Sequence, residues 1–171
     1  DVIAEELGPF DAHFLVPAFF EGGRITRCGV HYLMVGSEPV PVNRTEFARD
    51  SVFGYRHAFL PDYVEEKTHG RIPAAEVERF GLADVRGDLS ARLQGLSGNR
   101  CCVVDVEQQS DLDGFCRQVL AAAAGGKRFL FRSAGHRSCR DRGPGGLDDR
   151  PSRRAEARPA PGSHGRRSEE P

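Results

Sequence analysis

Residues 101–132 read CCVVDVEQQSDLDGFCRQVLAAAAGGKRFLFR. The continuous apolar run at residues 101–106 predicts a buried strand, and residues 128–132 predict a second one. Between them, Ser110 and Asp113 resemble a capping box that opens a helix, and a Gly-Gly pair ends it. One helical stripe is predicted for Leu112, Phe115, Val119, Leu120 and Ala123. A strand, a helix and a strand at this spacing predict a parallel β-α-β unit.

The rest of the first 134 residues shows the same signals. Residues 1–7 resemble the end of a helix whose start is missing, because Gly8 and Pro9 form a stop signal, and an N-terminal truncation is therefore expected. The other predicted elements are strands at residues 13–16, 28–35 and 71–73, a proline-containing hairpin arm at residues 39–42, and helices at residues 61–68 and 88–96. Together they predict an α/β fold, with a mostly parallel sheet flanked by helices and a β-hairpin excursion.

Residues 135–171 have the composition of a disordered tail. From His136 onward the chain contains no Val, Ile, Phe, Tyr or Met, and Leu147 is its one large aliphatic residue. Such a segment buries too little apolar surface to offset the entropy of ordering itself. We therefore expect a partial α/β domain over residues 1–134 and a disordered tail over residues 135–171. An out-of-frame translation of a GC-rich gene would produce such a tail, and a genuine disordered tail is the alternative.

Charge and cysteine content exclude several classes of protein. Lys and Arg number 24 against 25 Asp and Glu, so the chain as a whole shows no bias toward nucleic acid or membrane surfaces. No apolar run approaches the roughly 20 residues of a membrane helix. The five cysteines show no metal-ligand spacing and no CxxC motif. Buried, reduced thiols in a cytoplasmic protein are expected, and a zinc or redox site is the alternative.

Three segments follow predicted strands at their carboxyl ends, where open parallel sheets bind ligands. They are the loop of residues 17–24, which carries Glu21, Gly23 and Arg24, then Asp105 with Glu107, and then Ser133. If these strands are neighbours, carboxylates, a guanidinium, a hydroxyl and glycine N–H groups surround one crevice. Such a crevice suits a small polyhydroxylated acid, because an arginine fork grips a carboxylate with two hydrogen bonds.

Each candidate also has a structural alternative. Arg24 could form a surface ion pair, Glu21 could face solvent, and Asp105 could cap the turn that follows its strand. Ser133 could be structural, and His31 lies within an apolar strand, where a structural histidine is the more common outcome. No GxxxxGK[ST] loop, GxGxxG motif or HExxH motif occurs in the chain. Nothing in residues 1–134 therefore predicts ATP binding or a metal site by a recognised device.

Four segments together resemble one known family. They are FLVPAFFEGGRITRCGVHYL (residues 14–33), PVNRTEFARDSVFGYRHAFLPDYVEEKTHGRI (residues 41–72), CCVVDVEQQSDLDGFC (residues 101–116) and GKRFLFRSA (residues 126–134). In this order they are similar to segments of the four-carbon acid sugar kinases, which phosphorylate threonate, erythronate and 3-oxo-tetronate type acids. The resemblance runs almost continuously from Asp1 to Ala134.

The resemblance implies a two-domain kinase, in which an N-terminal α/β domain binds the acid sugar and a C-terminal domain binds ATP with Mg²⁺. The family's DDxTG and KTDSxLRGN-type segments, and its ATP domain, have no counterpart in this chain. The substrate-binding positions carried over from the family are Glu21, Gly23, Arg24, His31, Asp105 and Ser133. The catalytic base is unknown and is expected to lie outside this chain, and no nucleotide or metal is expected to bind it.

The favoured function is therefore the acid-sugar-binding part of an ATP-dependent kinase, inactive when alone. A non-catalytic module that binds a small hydroxy acid is the main alternative. A third hypothesis, an interaction protein whose tail contacts nucleic acid, is weak because acidic residues are interspersed among the tail arginines. A small-molecule acid sugar is the expected partner, without nucleic acid or membrane, and the oligomeric state stays open.

Overall fold

A computed structural model describes residues 6–51 and 54–134 of the chain. The predicted disordered tail, residues 135–171, and the first part of the predicted N-terminal helix lie outside the described residues. Glu6 and Leu7 form the end of a helix ahead of Gly8 and Pro9, as the stop signal predicts.

Besides this helix end, the described part of the chain contains seven strands and four α-helices. The strands are β1 (Ala12–Val16), β2 (Arg24–Arg27), β3 (Val30–Val35), β4 (Glu38–Pro41), β5 (Glu78–Phe80), β6 (Arg100–Val104) and β7 (Phe129–Ser133). The helices are α1 (Leu60–Lys67), α2 (Leu82–Arg86), α3 (Ser90–Gly95) and α4 (Gln109–Ala124). Short 3-10 turns lie at Phe20–Gly22, Val42–Arg44, Glu46–Arg49 and Ala74–Glu76.

The main sheet is parallel throughout and has the order β5-β6-β1-β7. The predicted unit of β6, α4 and β7 is confirmed, but β1 lies between its two strands and pairs with both. A second, antiparallel sheet of order β2-β3-β4 forms the predicted hairpin excursion. The fold class expected from the sequence, a parallel sheet flanked by helices with a β-hairpin, is therefore confirmed.

Alternation along the strands divides the core between the two faces of the main sheet. On one face, Phe14 contacts the rings of Phe80 and Phe115, with ring centroids 5.8 and 5.3 Å apart, and helices α2, α3 and α4 cover it. On the other face, Leu15 packs with Val64 of α1. Each buried side chain of this size contributes about 1.5–3 kcal/mol through burial alone.

Cys101 and Cys102 confirm this alternation directly. Cys102 belongs to the core under α2, α3 and α4, whereas Cys101 belongs to the core under α1. The adjacent cysteines thus point to opposite faces of β6, as a period of two requires. Both are buried free thiols, but Cys28 is exposed, so the expectation that the cysteines are buried is wrong for that residue.

The hairpin region differs from the prediction at its start. The sequence predicts one strand over residues 28–35 preceded by a loop, but the structure has β2 at Arg24–Arg27, a tight turn, and then β3. Cys28 and Gly29 form this turn with φ of 52° and 76°, in the left-handed region that two-residue hairpin loops require. The prolines of β4 lie on an edge strand, as predicted.

The segment before β6 also differs from the prediction. Residues 71–73 form no strand; the strand in this region is β5, a few residues later. The helix expected at residues 88–96 is the shorter α3, and α2 was not predicted. These elements are three to six residues long, too short for a hydrophobic period to show.

Helix α4 begins earlier than its predicted capping box. Asp111, not Asp113, accepts hydrogen bonds from the backbone N–H groups of Glu107 and Gln108, at 3.1 and 3.2 Å. The buried stripe consists of Asp111, Phe115, Val119 and Ala122. Leu120 is 53% exposed and Ala123 is exposed as well, so both were placed on the wrong face.

Candidate functional site

The three segments predicted to form one crevice do follow neighbouring strands. Because β1 pairs with both β6 and β7, the loop after β1 lies between the residues that follow the other two strands. A cavity of about 220 Å³ opens at this carboxyl edge. It is bounded by the ends of β1 and β7, by the hairpin sheet and by α1. Its polar lining consists of Arg24, His31, Tyr55, His57, Tyr63, Arg132 and Ser133.

Two guanidinium groups give this cavity, which we call the acid cavity, a positive character. Arg24 starts β2, and its guanidinium carbon lies 4.9 Å from the centre of the Phe47 ring. Arg132 of β7 lies with one terminal nitrogen 3.5 Å from the hydroxyl oxygen of Tyr63. No Asp or Glu occurs among the described residues that line the cavity. The arrangement therefore favours an anion, and above all a carboxylate.

His31 contributes a hydrogen-bond acceptor to the same cavity. Its Nδ1 lies 3.0 Å from the carbonyl oxygen of Ile25 and 3.2 Å from Oγ1 of Thr26. A carbonyl oxygen can only accept, so Nδ1 carries the proton and donates it. Burial first, and then the positive charge of Arg24, lower the pKa of His31 to about 4, although the hydrogen bond to Ile25 raises it. The ring is therefore neutral near pH 7, with an unprotonated Nε2.

Hydroxyl groups complete the polar lining. Tyr55 donates a long hydrogen bond of 3.4 Å to the carbonyl oxygen of Val42, and burial raises the pKa of its phenol. The ring of Tyr55 meets that of Tyr63 edge-on, with centroids 5.8 Å apart. Ser133 ends β7 and is exposed at the cavity rim. Guanidinium, imidazole and hydroxyl groups thus surround one small volume, a set of groups that matches a hydroxy acid.

Asp105, which was also predicted to line the crevice, lies elsewhere. It is buried and does not line the acid cavity. Its carboxylate accepts a hydrogen bond of 2.8 Å from the backbone N–H of Gly29, which holds the β2–β3 turn against the end of β6. Burial raises the pKa of Asp105, and the hydrogen bonds from Gly29 and Cys28 oppose this shift.

The other acidic and glycine candidates also lie outside the acid cavity. Glu21 is exposed on the 3-10 turn at Phe20–Gly22. Gly23 has a φ of 67°, and its carbonyl accepts a hydrogen bond of 2.7 Å from Met34. Glu107 forms ion pairs with Arg27 and Arg86. Of the positions carried over from the family resemblance, the structure therefore brings together Arg24, His31 and Ser133 around one cavity.

Several lining residues were missed by the sequence analysis. Arg132 belongs to a predicted strand, and only its pairing with Leu15 places it on the face that α1 covers. Tyr55 lies between the predicted hairpin arm and the helix predicted at residues 61–68, where no element was predicted, and Tyr63 lies on α1. The alternation of side chains between the two faces of a strand was the one signal that the sequence offered for Arg132, because it places Arg132 on the face opposite Phe131.

Two further searches of the described chain bear on the kind of site. Within residues 6–51 and 54–134, no group of three or more His, Cys, Asp or Glu side chains is placed to hold a metal ion. Over the same residues, no helix is both long enough and apolar enough to cross a membrane.

Comparison with known proteins identifies the family. The model of the family described as the sugar-binding N-terminal domain matches residues 1–136, and the chain belongs to this family. This match covers the same part of the chain as the resemblance drawn from the sequence, and it confirms a sugar-binding N-terminal domain. Among curated proteins, none matches the chain.

Two solved structures share the fold, and a third is similar more weakly. A Haemophilus influenzae protein assigned to the family model DUF1537 is 20% identical, with a TM-score of 0.55 over 78% of this chain and 30% of its own. A Salmonella typhimurium LT2 protein is 15% identical, with a TM-score of 0.54 over 78% of this chain and 29% of its own. A Bordetella bronchiseptica DUF1537 protein, a domain-swapped dimer with bound citrate, is 24% identical, with a TM-score of 0.47 over 73% of this chain and 28% of its own. The chain therefore spans about 30% of the length of the first of these relatives.

Proposed function

We propose that the acid cavity binds a four-carbon acid sugar, such as threonate or erythronate. The observation that carries this proposal is the joint presence of Arg24, Arg132 and a neutral His31 around one small cavity whose described lining includes no carboxylate. A guanidinium pairs with the carboxylate of the ligand through two charge-assisted hydrogen bonds. The unprotonated Nε2 of His31 accepts a hydrogen bond from one of its hydroxyl groups.

The size of the acid cavity supports a small ligand. A volume of about 220 Å³ equals the share of about seven water molecules in the liquid, at roughly 30 Å³ for each. A four-carbon hydroxy acid has about the same number of heavy atoms to place in this volume.

We further propose that the chain supplies the acid-binding part of an ATP-dependent kinase in the cytoplasm. In the proposed reaction, a hydroxyl oxygen of the acid forms a bond to the γ-phosphorus of ATP. The bond from this phosphorus to the bridging oxygen breaks, ADP leaves with the electron pair, and the hydroxyl proton is released. ATP and Mg²⁺ would be bound by other parts of the parent enzyme, while this chain fixes the position of the acid. The family membership and the shared fold support this role.

Calorimetric titration of the full chain tests the binding proposal. D-threonate and D-erythronate should bind, whereas erythritol, which lacks the carboxylate, and succinate, which lacks the hydroxyls, should bind at least about tenfold more weakly. Arg24→Gln should weaken binding of both acids by about 1.5–3 kcal/mol, because one charged hydrogen-bonding partner is lost. Arg117→Gln is the matched control, since Arg117 is an exposed residue of α4 on the far side of the sheet. Equal binding of acid and erythritol would refute the proposal.

A kinase assay tests the second part of the proposal. The chain incubated with ATP, Mg²⁺ and D-threonate should form no ADP above the rate without acid. Clear turnover would show that residues of this chain bind and activate ATP, and would contradict the assignment of that task to other parts of the parent enzyme.

A further inference from the structure

We propose that Arg132 is the residue that binds the phosphoryl group, so that the site prefers the phosphorylated acid over the free acid. This inference rests on the proposed function and extends it, because it assigns separate tasks to the two arginines. Arg24 would pair with the carboxylate at one end of the ligand, and Arg132 with the phosphate at the other.

The position of Arg132 between two cavities carries the inference. A second cavity of about 580 Å³, which we call the sheet-face cavity, lies between α1 and the strands β1 and β7. Leu15, Tyr63 and Arg132 line both cavities, so the two volumes adjoin at these residues. Arg24 lines the acid cavity but not the larger one. Among the two arginines, Arg132 alone is therefore placed where a group could extend from the acid into the neighbouring space.

The charge of the sheet-face cavity suits a phosphate. Its lining includes the cationic side chains of Lys67, Arg71 and Arg132, together with His13, and the described lining residues include no Asp or Glu. Such a concentration of positive charge without a compensating carboxylate favours a group that carries more than one negative charge. The cavity floor is the apolar face of the sheet at Leu15 and Leu130 and adds no negative charge.

Lys67 and Arg132 keep hydrogen-bond donors available near the boundary of the two cavities. The ammonium group of Lys67 donates a hydrogen bond of 2.6 Å to the carbonyl oxygen of Gly54, which leaves two of its three donors for a ligand. The terminal nitrogen of Arg132 that lies near the Tyr63 hydroxyl is 3.5 Å from it, a contact too long to engage the guanidinium strongly. A phosphate at this position would accept hydrogen bonds from the guanidinium fork of Arg132.

Titration calorimetry with D-erythronate and with 4-phospho-D-erythronate tests the inference. The unmodified chain should bind the phosphorylated acid about tenfold or more tightly than the free acid. Arg132→Gln should bring the two affinities to within about twofold of each other while the free acid still binds. Arg24→Gln should weaken both ligands alike and keep their ratio. Arg71→Gln offers a second, exposed position at which the preference for phosphate should fall, and Arg117→Gln is the control that should leave both affinities unchanged.

The outcomes separate this inference from the proposed function. If the chain binds D-erythronate but shows no preference for its phosphate ester, or if the preference survives in Arg132→Gln whatever Arg71→Gln does, the inference is wrong while the acid-binding proposal stands. If neither ligand binds, both proposals fall. A preference that disappears in Arg132→Gln and persists in Arg24→Gln is the result the inference predicts.

Discussion

His31 shows how a single buried side chain links the proposed site to stability. Its pKa in the folded chain is about 4, below the ordinary value of 6.5, because burial disfavours the charged imidazolium. Between pH 6.5 and pH 4 the unfolded chain therefore binds a proton that the folded chain does not. His31 contributes a loss of stability as the pH falls through this window, and no further loss below it.

The expected size of this effect is roughly 3 kcal/mol, from about 1.4 kcal/mol for each pKa unit. We predict that His31→Asn, whose amide nitrogen can still donate to Ile25, loses less stability than the unmodified chain between pH 6.5 and pH 4. Urea denaturation at a series of pH values measures the difference. Identical pH profiles for the two proteins would contradict the assignment of a depressed pKa to His31.

Asp105 gives a second prediction at the residue scale. Asp105→Ala should lower the free energy of unfolding by about 1–3 kcal/mol, because the buried N–H of Gly29 loses its acceptor. Asp105→Asn should retain most of the stability, since its amide oxygen can accept the same hydrogen bond and burial already disfavours the charge. Chemical denaturation of both variants at pH 7 provides the comparison. An Asn variant as unstable as the Ala variant would show that the negative charge, not the acceptor, holds the turn.

At the scale of elements, the β2–β3 turn positions Arg24 and His31 on adjacent strands. Gly29 has a φ of 76°, and a Cβ atom there would lie 2.7 Å from the ring of Phe59. Gly29→Ala should therefore destabilise the chain by about 1–3 kcal/mol through backbone strain and steric clash. Gly36→Ala is the matched control, because Gly36 has a similar φ of 63° but no atom within 4 Å of the added Cβ. Melting temperatures should fall clearly further for Gly29→Ala, and equal decreases would argue against a close approach of Phe59.

The same scale shows which elements a sequence can reveal. The strand and the helix within residues 101–124 were predictable from the sequence. The apolar run is as long as a buried strand, and the helical stripe extends over enough turns to show its period. The strand β2 was not, because Ile25 is its one large apolar residue within four positions. The start of α4 is set by Asp111, which accepts hydrogen bonds from the N–H groups of Glu107 and Gln108. Arg86, 25 positions earlier in the chain, holds this side chain with hydrogen bonds of 2.9 and 3.1 Å. The contact with Arg86 follows from tertiary structure and leaves no local signal.

At the scale of the whole molecule, the order of strands decides which candidates meet. The sequence placed Arg24 and Ser133 after predicted strands and His31 within one, but it could not show that β1 separates β6 from β7. That insertion brings Arg24, His31 and Ser133 to one cavity and leaves Asp105 beneath the hairpin turn. Tyr55, Tyr63 and Arg132 join the site from three separate segments. Their meeting depends on how α1 packs against the sheet, which periodicity alone does not predict.

The central claim is that a small hydroxy acid binds among Arg24, His31 and Arg132. Backbone amide NMR of the full chain during titration with D-threonate tests this location most directly. We predict saturable shift changes concentrated at residues that line the acid cavity, including His31 and Ser133, and their loss in Arg24→Gln. Shift changes centred on Glu21 and Glu107 instead, or none at millimolar D-threonate, would contradict the account.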